Sequence, residues 1–187
     1  MTKNFYYNDR IKKVIINNGV TSIEDTAFYD CMSLKSITIP NSITYIGRSA
    51  FDYCTSLENI TIPSSVTYIG NRAFYNCTSL ESIIIPNSVT EIEKDTFSWC
   101  SSLKSITVPN SVTEIDSYAF SGCSSLTAVN VSEDNSSYCS IDGVLFNKDK
   151  TYLEVYPPKN PAQAIPFPIA LHIYTRIRLS AAHFLKT

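Results

Sequence analysis

The chain has 187 residues, of which 44% are hydrophobic and 17% are charged, and its formal net charge is −2. This length allows one domain, or one domain with a tail, and the apolar content is sufficient for a sizeable core. The charged residues form no run of like charge, which argues against the clustered basic face that nucleic-acid binding requires.

No secretory signal peptide is expected at the N-terminus, because residues 1–10 are polar and aromatic and lack the apolar central stretch of such signals. The most apolar window, residues 162–174, contains two prolines. It is shorter than the roughly 20 residues of a membrane-spanning helix. We therefore predict no transmembrane segment.

A repeat of 23 residues dominates the sequence. Three residue types recur at this interval over five units, and the positions are Phe28, Phe51, Phe74, Phe97 and Phe120, then Cys31, Cys54, Cys77, Cys100 and Cys123, then Leu34, Leu57, Leu80, Leu103 and Leu126. A half unit precedes them, with apolar residues in the same register at Ile11, Val14, Ile16, Val20 and Ile23. Such a period is typical of solenoid proteins, in which each unit buries its apolar face against its neighbours.

Each unit contains the pattern of one short strand. Two apolar residues at alternate positions follow each leucine, as in Ile37 and Ile39, which predicts a strand with one buried face. A proline such as Pro40 then ends the strand, because it cannot donate a ladder hydrogen bond. The rest of the unit places Val or Ile inward and reaches an Ala-Phe-x-x-Cys turn, for which we expect one short helical or 3₁₀ step. The fold class predicted is α/β, a curved solenoid with one short parallel strand per coil on its concave side.

The unit "LKSITIPNSITYIGRSAFDYC" resembles the repeat of BspA-like leucine-rich-repeat proteins, which occur on the surfaces of bacteria and parasitic protists. The resemblance covers residues 11–131, and its departures are Thr96 in place of alanine and Ser132 in place of proline. The segment "SSYCSIDGVLFNKDKTYLEVYPPK" resembles the β-hairpin that interrupts the repeats in this family. The resemblance implies a cell-surface or secreted protein that acts in adhesion or interaction with host molecules, without catalysis.

The predicted organisation has three parts. Residues 1–132 form a leucine-rich-repeat solenoid with a half coil and about five coils, residues 133–160 form the β-hairpin insertion, and residues 161–187 form an atypical tail. The tail lacks the Phe-x-x-Cys-x-x-Leu signature. Codons compatible with residues 162–174, read from one nucleotide earlier, permit the opening of another repeat. We interpret the tail as a frameshift product. The alternative is a basic amphipathic helix that docks on a membrane or caps the stack.

Five of the six cysteines occupy one repeat position on the inward side of consecutive coils. They could form a metal or redox ladder, or they could fill one core row as small apolar residues. We favour the second interpretation, because metal sites need convergent ligands and no histidine lies in the repeats. We expect reduced, buried thiols, with Cys139 as the exposed one.

No enzyme, cofactor or metal site is expected. The two histidines, His172 and His183, both lie in the tail, so a cysteine in the repeats has no base partner. The scattered glycines form no phosphate-binding loop.

Comparison of the units with one another indicates a candidate binding surface. The concave row is small, polar and nearly uniform. The turn positions vary more and carry aromatic residues, which suit interface hot spots. The candidate binding residues are Tyr29, Tyr45, Tyr53, Tyr68, Tyr75 and Trp99. The alternative is that each ring covers the rim of the core along its own coil.

The function predicted is a non-enzymatic scaffold for protein–protein interaction or adhesion, at the cell surface or secreted. The expected partner is a protein, with a host extracellular-matrix protein as the candidate, and neither nucleic acid nor a membrane span is expected. A structural spacer of a larger surface protein and a carbohydrate-binding face built from the exposed Tyr and Trp residues are the alternatives.

Overall fold

The computed structural model describes residues 5–161, and these form a parallel β-solenoid of about five turns with a small antiparallel sheet at its end. We number the coils from the leucine position of each repeat. Coil one spans residues 11–33, coil two 34–56, coil three 57–79, coil four 80–102 and coil five 103–125. A sixth coil begins at Leu126.

The first row of strands follows the predicted Leu-x-x-Ile-x-Ile pattern. Its members are β1 (Lys13–Ile15), β3 (Ser36–Thr38), β5 (Asn59–Ile60), β8 (Ser105–Val108) and β10 (Ala128–Val131). Equivalent residues pair in parallel, so that Ile37 lies beside Val14 and Ile60 beside Ile37. In coil four a single bridge between Asn59 and Ser82 replaces the strand.

A second row of strands, which the sequence pattern did not predict, runs along another side of the solenoid. It consists of the two-residue strands β2 (Ser22–Ile23), β4 (Tyr45–Ile46), β6 (Tyr68–Ile69), β7 (Glu91–Ile92) and β9 (Glu114–Ile115). These segments also pair in parallel with identical register. The prediction of one strand per coil was therefore incomplete, because two residues are too few to show a period in the sequence.

The prediction of helical or 3₁₀ turns was wrong, since residues 5–161 contain no helix. The hydrogen bonds of coil one show why. The amides of Thr26, Phe28 and Asp30 donate to the next coil, at the carbonyls of Arg48, Ala50 and Asp52. The amides between them bond three residues back along their own coil, as from Cys31 to Phe28. A helix would need every amide for its own carbonyls, so alternate donation outward excludes it.

The turns also require left-handed backbone at two positions per coil. Non-glycine residues occupy it in most coils, at Thr26, Asp30, Ser49, Tyr53, Arg72, Asn76, Asp95 and Trp99, with φ between 52° and 64°. Each such residue costs about 1–2 kcal/mol relative to ordinary backbone. The bonds between coils offset this cost, because they satisfy backbone donors that would otherwise be buried without partners.

A stack of phenylalanine rings forms the centre of the core. Successive rings from Phe28 to Phe120 lie 5.3–5.9 Å apart between centroids and within 7° of parallel. Phe5 adds a further ring, 5.6 Å from Phe28, and thus occupies the phenylalanine position in the segment before coil one. The stack explains why phenylalanine recurs at this position, since each ring packs against both neighbours.

The five repeat cysteines form a second row, parallel to the phenylalanine stack. All five are buried and free, as predicted. Each thiol donates to the phenylalanine carbonyl of the preceding coil, as from Cys54 to Phe28 at 3.2 Å and from Cys77 to Phe51 at 3.2 Å. Burial raises the pKa of Cys77 and Cys100 well above the ordinary value and that of Cys123 to about 12. Cys139 lies outside this row and is half-buried, less exposed than predicted.

A three-stranded antiparallel sheet covers the last coil. Its strands are β11 (Tyr138–Ile141), β12 (Val144–Asn147) and β13 (Leu153–Val155), in that order. Buried Asn135 fixes the point at which the chain leaves the solenoid to enter this sheet. The side-chain amide of Asn135 donates to the carbonyls of Pro109 and Val112 at 2.7 and 2.9 Å. The hydroxyl of Tyr138 accepts the amide of Ile115 at 3.0 Å. The predicted tail, apart from residue 161, lies outside the described residues.

Thiol titration tests the cysteine row. We expect native protein to react with an aromatic disulfide reagent at about one cysteine, Cys139, because burial keeps the repeat thiols both inaccessible and protonated. Denatured protein should react at all six cysteines. Rapid reaction of several thiols in the native state would contradict the buried row.

The substitution Phe74→Ala tests the ring stack. Phe74 is fully buried, so its loss should cost about 3–5 kcal/mol of unfolding free energy. Tyr68→Ala is the matched control, because this ring is 37% exposed and contacts one ring, Tyr45; it should cost about 1 kcal/mol. Urea denaturation followed by circular dichroism measures both, and equal losses would show that the inward and outward assignments are wrong.

Candidate functional site

Four of the six predicted binding residues lie along one edge of the solenoid, which we name the aromatic edge: Tyr29, Tyr53, Tyr75 and Trp99. They alternate between two adjacent turn positions in successive coils, since Tyr29 and Tyr75 directly precede the left-handed residue that ends the turn, whereas Tyr53 and Trp99 are that residue. Tyr7 continues the alternation into the segment before coil one, with φ 59°. That segment and each of coils one to four therefore contribute one ring to the same edge.

The tyrosine rings of the aromatic edge contact one another. Ring centroids lie 5.4 Å apart for Tyr7 and Tyr29, 6.2 Å for Tyr29 and Tyr53, and 5.8 Å for Tyr53 and Tyr75. The planes are inclined by 53–71°, a tilted arrangement that aromatic quadrupoles favour. The tyrosines of coils one to three are half-buried, whereas Trp99 is 54% exposed. The result is a continuous surface of four tyrosine rings, with an exposed indole on the same edge one coil further along.

An ion pair underlies the middle of the aromatic edge. Arg72 donates from Nε to Oδ2 of Asp52 at 3.0 Å, and its guanidinium carbon lies 3.6 Å from the Tyr75 ring centroid. Asp52 is almost fully buried, and burial raises its pKa although Arg72 opposes the shift. The guanidinium therefore fixes the Tyr75 ring by a cation–π contact and partly compensates the buried carboxylate.

Trp99 rests on the next coil through a glycine. A β-carbon at Gly122 would lie 2.7 Å from Cδ2 of the indole, and Gly122 has φ +75°. Because Gly122 has no side chain, the indole can pack directly against its backbone. Sequence comparison of the units identified Trp99 but not Gly122, although both occupy the same repeat position in adjacent coils.

Tyr45 and Tyr68 are separate from the aromatic edge. They were expected in turns, but they lie in β4 and β6 and stack on each other, with centroids 5.1 Å apart. The Tyr45 hydroxyl donates to Oδ1 of Asp25 at 3.3 Å. Burial and the neighbouring carboxylates raise the pKa of both hydroxyls, through Asp25 for Tyr45 and through Glu93 for Tyr68. The structure thus divides the predicted set into two surfaces, and this pair already has polar partners within the chain.

A groove of about 370 Å³ lies beside coils four and five, and its lining is acidic. Glu91 pairs in register with Glu114, and Glu93 and Asp116 follow them. Lys94 is the basic residue of the lining, and its Nζ lies 5.7 Å from the Tyr118 ring centroid. Within residues 5–161 no group of three or more His, Cys, Asp or Glu side chains is placed to hold a metal ion.

The first-row face is the least differentiated surface. Thr38, Thr61 and Thr107 are exposed along it, as is Asn130. Ile84 occupies the same position in coil four and is 78% exposed. Ile15 occupies it in coil one and is 64% exposed. These two isoleucines are separated by small polar side chains, and none of the row is aromatic, so the aromatic edge is the better candidate for recognition.

Comparison with known proteins decides the family. The family described as BspA-type leucine-rich-repeat region matches residues 1–127, in six copies. The chain belongs to this family. BspA-type repeats are those of leucine-rich-repeat proteins, which in general are not enzymes.

Solved structures of bacterial leucine-rich-repeat proteins have the same fold. A T. pallidum leucine-rich-repeat protein, TpLRR, is 39% identical over 64% of this chain and 58% of its own, with a TM-score of 0.62. The pneumococcal vaccine antigen PcpA is 30% identical over 84% of this chain and 39% of its own, with a TM-score of 0.75. A leucine-rich-repeat protein from Eubacterium ventriosum is 33% identical over 82% of this chain and 41% of its own, with a TM-score of 0.72.

The matched part of these three relatives is 39–58% of their own length. No curated protein shows significant similarity to the chain. Among the residues that the structure describes, no helix is long and apolar enough to cross a membrane.

The substitution Gly122→Ala tests the seat of Trp99. The new methyl group would displace the indole and strain a backbone at φ +75°, so we expect a shifted Trp99 emission maximum and a loss of about 1–2 kcal/mol in stability. Gly19→Ala is the matched control, because Gly19 has φ +97° but nothing within 4 Å of the added carbon. Trp99 is the one tryptophan of the chain, so fluorescence reports on it directly. Identical spectra for the two variants would contradict the contact.

Proposed function

We propose that the chain is a non-enzymatic scaffold whose aromatic edge binds a protein partner at the cell surface or after secretion. The observation that carries this proposal is the row of contacting tyrosine rings on successive coils, with the exposed Trp99 on the same edge in the next coil. Tyrosine and tryptophan supply large contact areas at a small cost in conformational entropy, because each has two side-chain torsions.

The placement of the aromatic edge supports this role. The backbone beneath it is fixed by bonds from coil to coil, such as Asp30 to Asp52 at 2.8 Å and Tyr53 to Tyr75 at 2.9 Å. A partner would therefore meet a surface that is already ordered, which lowers the entropic cost of association. Solenoids in general use extended surfaces of this kind for binding.

The proposed location rests on the relatives. PcpA is described as a vaccine antigen, and an antigen suited to vaccination is one that antibodies reach. A protein at such a location meets host matrix proteins, which makes them the first partners to test. A spacer function would need no differentiated edge, whereas this chain places an aromatic residue on the same edge in five successive coils.

The experiment is a binding measurement on immobilised fibronectin, laminin and collagen, with the full chain in solution. We expect saturable binding to at least one of them. The double variant Tyr53→Ala/Trp99→Ala should weaken it at least thirty-fold, because interface hot spots contribute about 2 kcal/mol or more each. Circular dichroism should show that the variant remains folded.

Tyr68→Ala is the control, since Tyr68 is exposed on the second row, away from the aromatic edge; its affinity should equal that of the unmodified chain. Equal loss in both variants would move the contact surface away from the aromatic edge. Binding to a glycan array that requires Trp99, without binding to any protein, would favour the carbohydrate alternative. No binding in either assay would favour the spacer.

A further inference from the structure

The residue directly after each second-row strand has almost no space for a side chain. Gly47 and Gly70 occupy this position in coils two and three. A β-carbon at Gly47 would lie 2.5 Å from the amide nitrogen of Asp25, and one at Gly70 would lie 2.7 Å from that of Arg48. Both obstacles are backbone atoms, which cannot rotate away. A side chain at this position must therefore separate two coils locally.

Two backbone hydrogen bonds between coils flank this position, one on the strand side and one on the turn side. Both are present where the residue is glycine. They join Gly47 to Ile23 and Thr26 to Arg48, each at 2.8 Å, and Gly70 to Ile46 and Ser49 to Asn71, each at 2.9 Å.

Where a side chain is present, one of the two bonds is lost. At Glu93 of coil four the turn-side bond from Arg72 to Lys94 remains at 3.1 Å, but the Glu93 amide donates to no backbone carbonyl of the described residues. At Asp116 of coil five the strand-side bond to Ile92 remains at 2.9 Å, whereas the Asp95 amide on the turn side has no such acceptor. The two acidic residues are thus accommodated in opposite ways.

The consequences at Glu93 extend to the second-row strands on either side of it. Strands β6 and β7 do not pair, and the row is divided into two sheets. In coils two, three and five, Thr44, Thr67 and Thr113 donate from both amide and hydroxyl to the preceding coil. Thr90 in coil four makes neither bond to the part of the chain that is described. We name this unpaired junction between the second-row strands of coils three and four the seam. A cleft lined by Ile69, Ile92 and Phe97, narrower than a water molecule, lies at the seam.

The opposite edge of the same seam is fully bonded. The amides of Phe74 and Asn76 donate to Thr96 and Ser98 at 2.9 and 2.8 Å, and the Cys100 thiol donates to Phe74 at 3.2 Å. On the first row the bridge between Asn59 and Ser82 and the bond from the Glu81 amide to the Glu58 carbonyl, at 3.4 Å, join coils three and four. Between the two rows the Ser88 hydroxyl donates to the Val66 carbonyl. Coils three and four are therefore held along the phenylalanine–cysteine turns and, less extensively, along the first row, whereas their second-row strands are unpaired.

We propose that the solenoid has a built-in hinge between coils three and four, with its axis along the phenylalanine–cysteine turns and with Glu93 keeping the second row open. Residues 11–79 and 80–131 are the two bodies that it joins. The aromatic edge lies on the turns that form the axis, so bending changes the spacing of the two strand rows while Phe74 and Phe97 remain stacked across the axis.

Amide hydrogen exchange of the full chain, resolved by NMR, tests this hinge. In the unmodified protein the amides of Thr90 and Glu93 should exchange at least ten-fold faster than those of Thr113 and Asp116, because open backbone bonds give no protection. In Glu93→Gly the amides at 90 and 93 should gain about ten-fold protection or more, and microsecond-to-millisecond exchange broadening at the seam should disappear.

Asp116→Gly is the matched control, because it removes an acidic side chain at the same repeat position one coil later. It should protect the Asp95 amide and leave Thr90 and Glu93 unchanged. The reverse substitution, Gly70→Glu, should expose the amides at 67 and 70 if the protein folds.

Three results would overturn the hinge. The first is protection of Thr90 and Glu93 in the unmodified protein equal to that of Thr113 and Asp116. The second is unchanged exchange in Glu93→Gly, and the third is a seam without exchange broadening in the unmodified protein. None of these measurements involves a binding partner, so they are independent of the proposed binding function.

Discussion

The whole fold depends on where the turn amides donate their hydrogen bonds. Along each phenylalanine–cysteine turn, alternate amides bond to the next coil and the others bond within their own coil. This alternation places equivalent residues of successive coils beside one another, so residues of one type at a repeat position form a continuous row along the stack. The phenylalanine stack, the cysteine row and the aromatic edge are three consequences of the same backbone arrangement.

The cysteine row shows how narrow the tolerance of this arrangement is. The carbonyls of the four repeat phenylalanines from Phe28 to Phe97 each accept two donors, the amide three residues later and the cysteine thiol of the next coil, as Phe28 does from Cys31 and Cys54. A larger side chain would not fit between two stacked coils, and an alanine would leave a cavity and remove the thiol donor. Cysteine therefore serves packing and weak hydrogen bonding, and its raised pKa makes it a poor nucleophile.

The period of the sequence was sufficient to predict the solenoid, the first row of strands and the buried residues, because these depend on residues that recur at fixed spacing. The second row, the absence of helix and the open seam could not be predicted in the same way. A two-residue strand is too short to show a period, and the type of a residue does not determine which carbonyl its backbone amide donates to. The loss of a bond at Glu93 depends on the distance to a backbone atom 22 residues away in the chain.

The same limit applies to the candidate site. Variation between the repeats identified Tyr29, Tyr53, Tyr75 and Trp99, but their alternation between two positions gives a continuous surface only when neighbouring coils are in register. The role of Arg72 could not be predicted from the sequence, because it depends on contacts with Asp52 and Tyr75 that only the fold creates. Tyr45 and Tyr68 resemble the others in the sequence, yet they lie on another side of the solenoid.

The aromatic edge and the open seam have opposite mechanical requirements, and the structure separates them in space. A binding surface of aromatic rings is effective when its backbone is fixed, whereas a bend requires that some backbone bonds between coils be absent. Coils three and four retain their backbone bonds along the turns that carry Tyr75 and Trp99, whereas the strands that contain Tyr68 and Glu91 do not pair. Curvature can then change without disturbing the rings, because the parts of a bending body that lie on its axis move least.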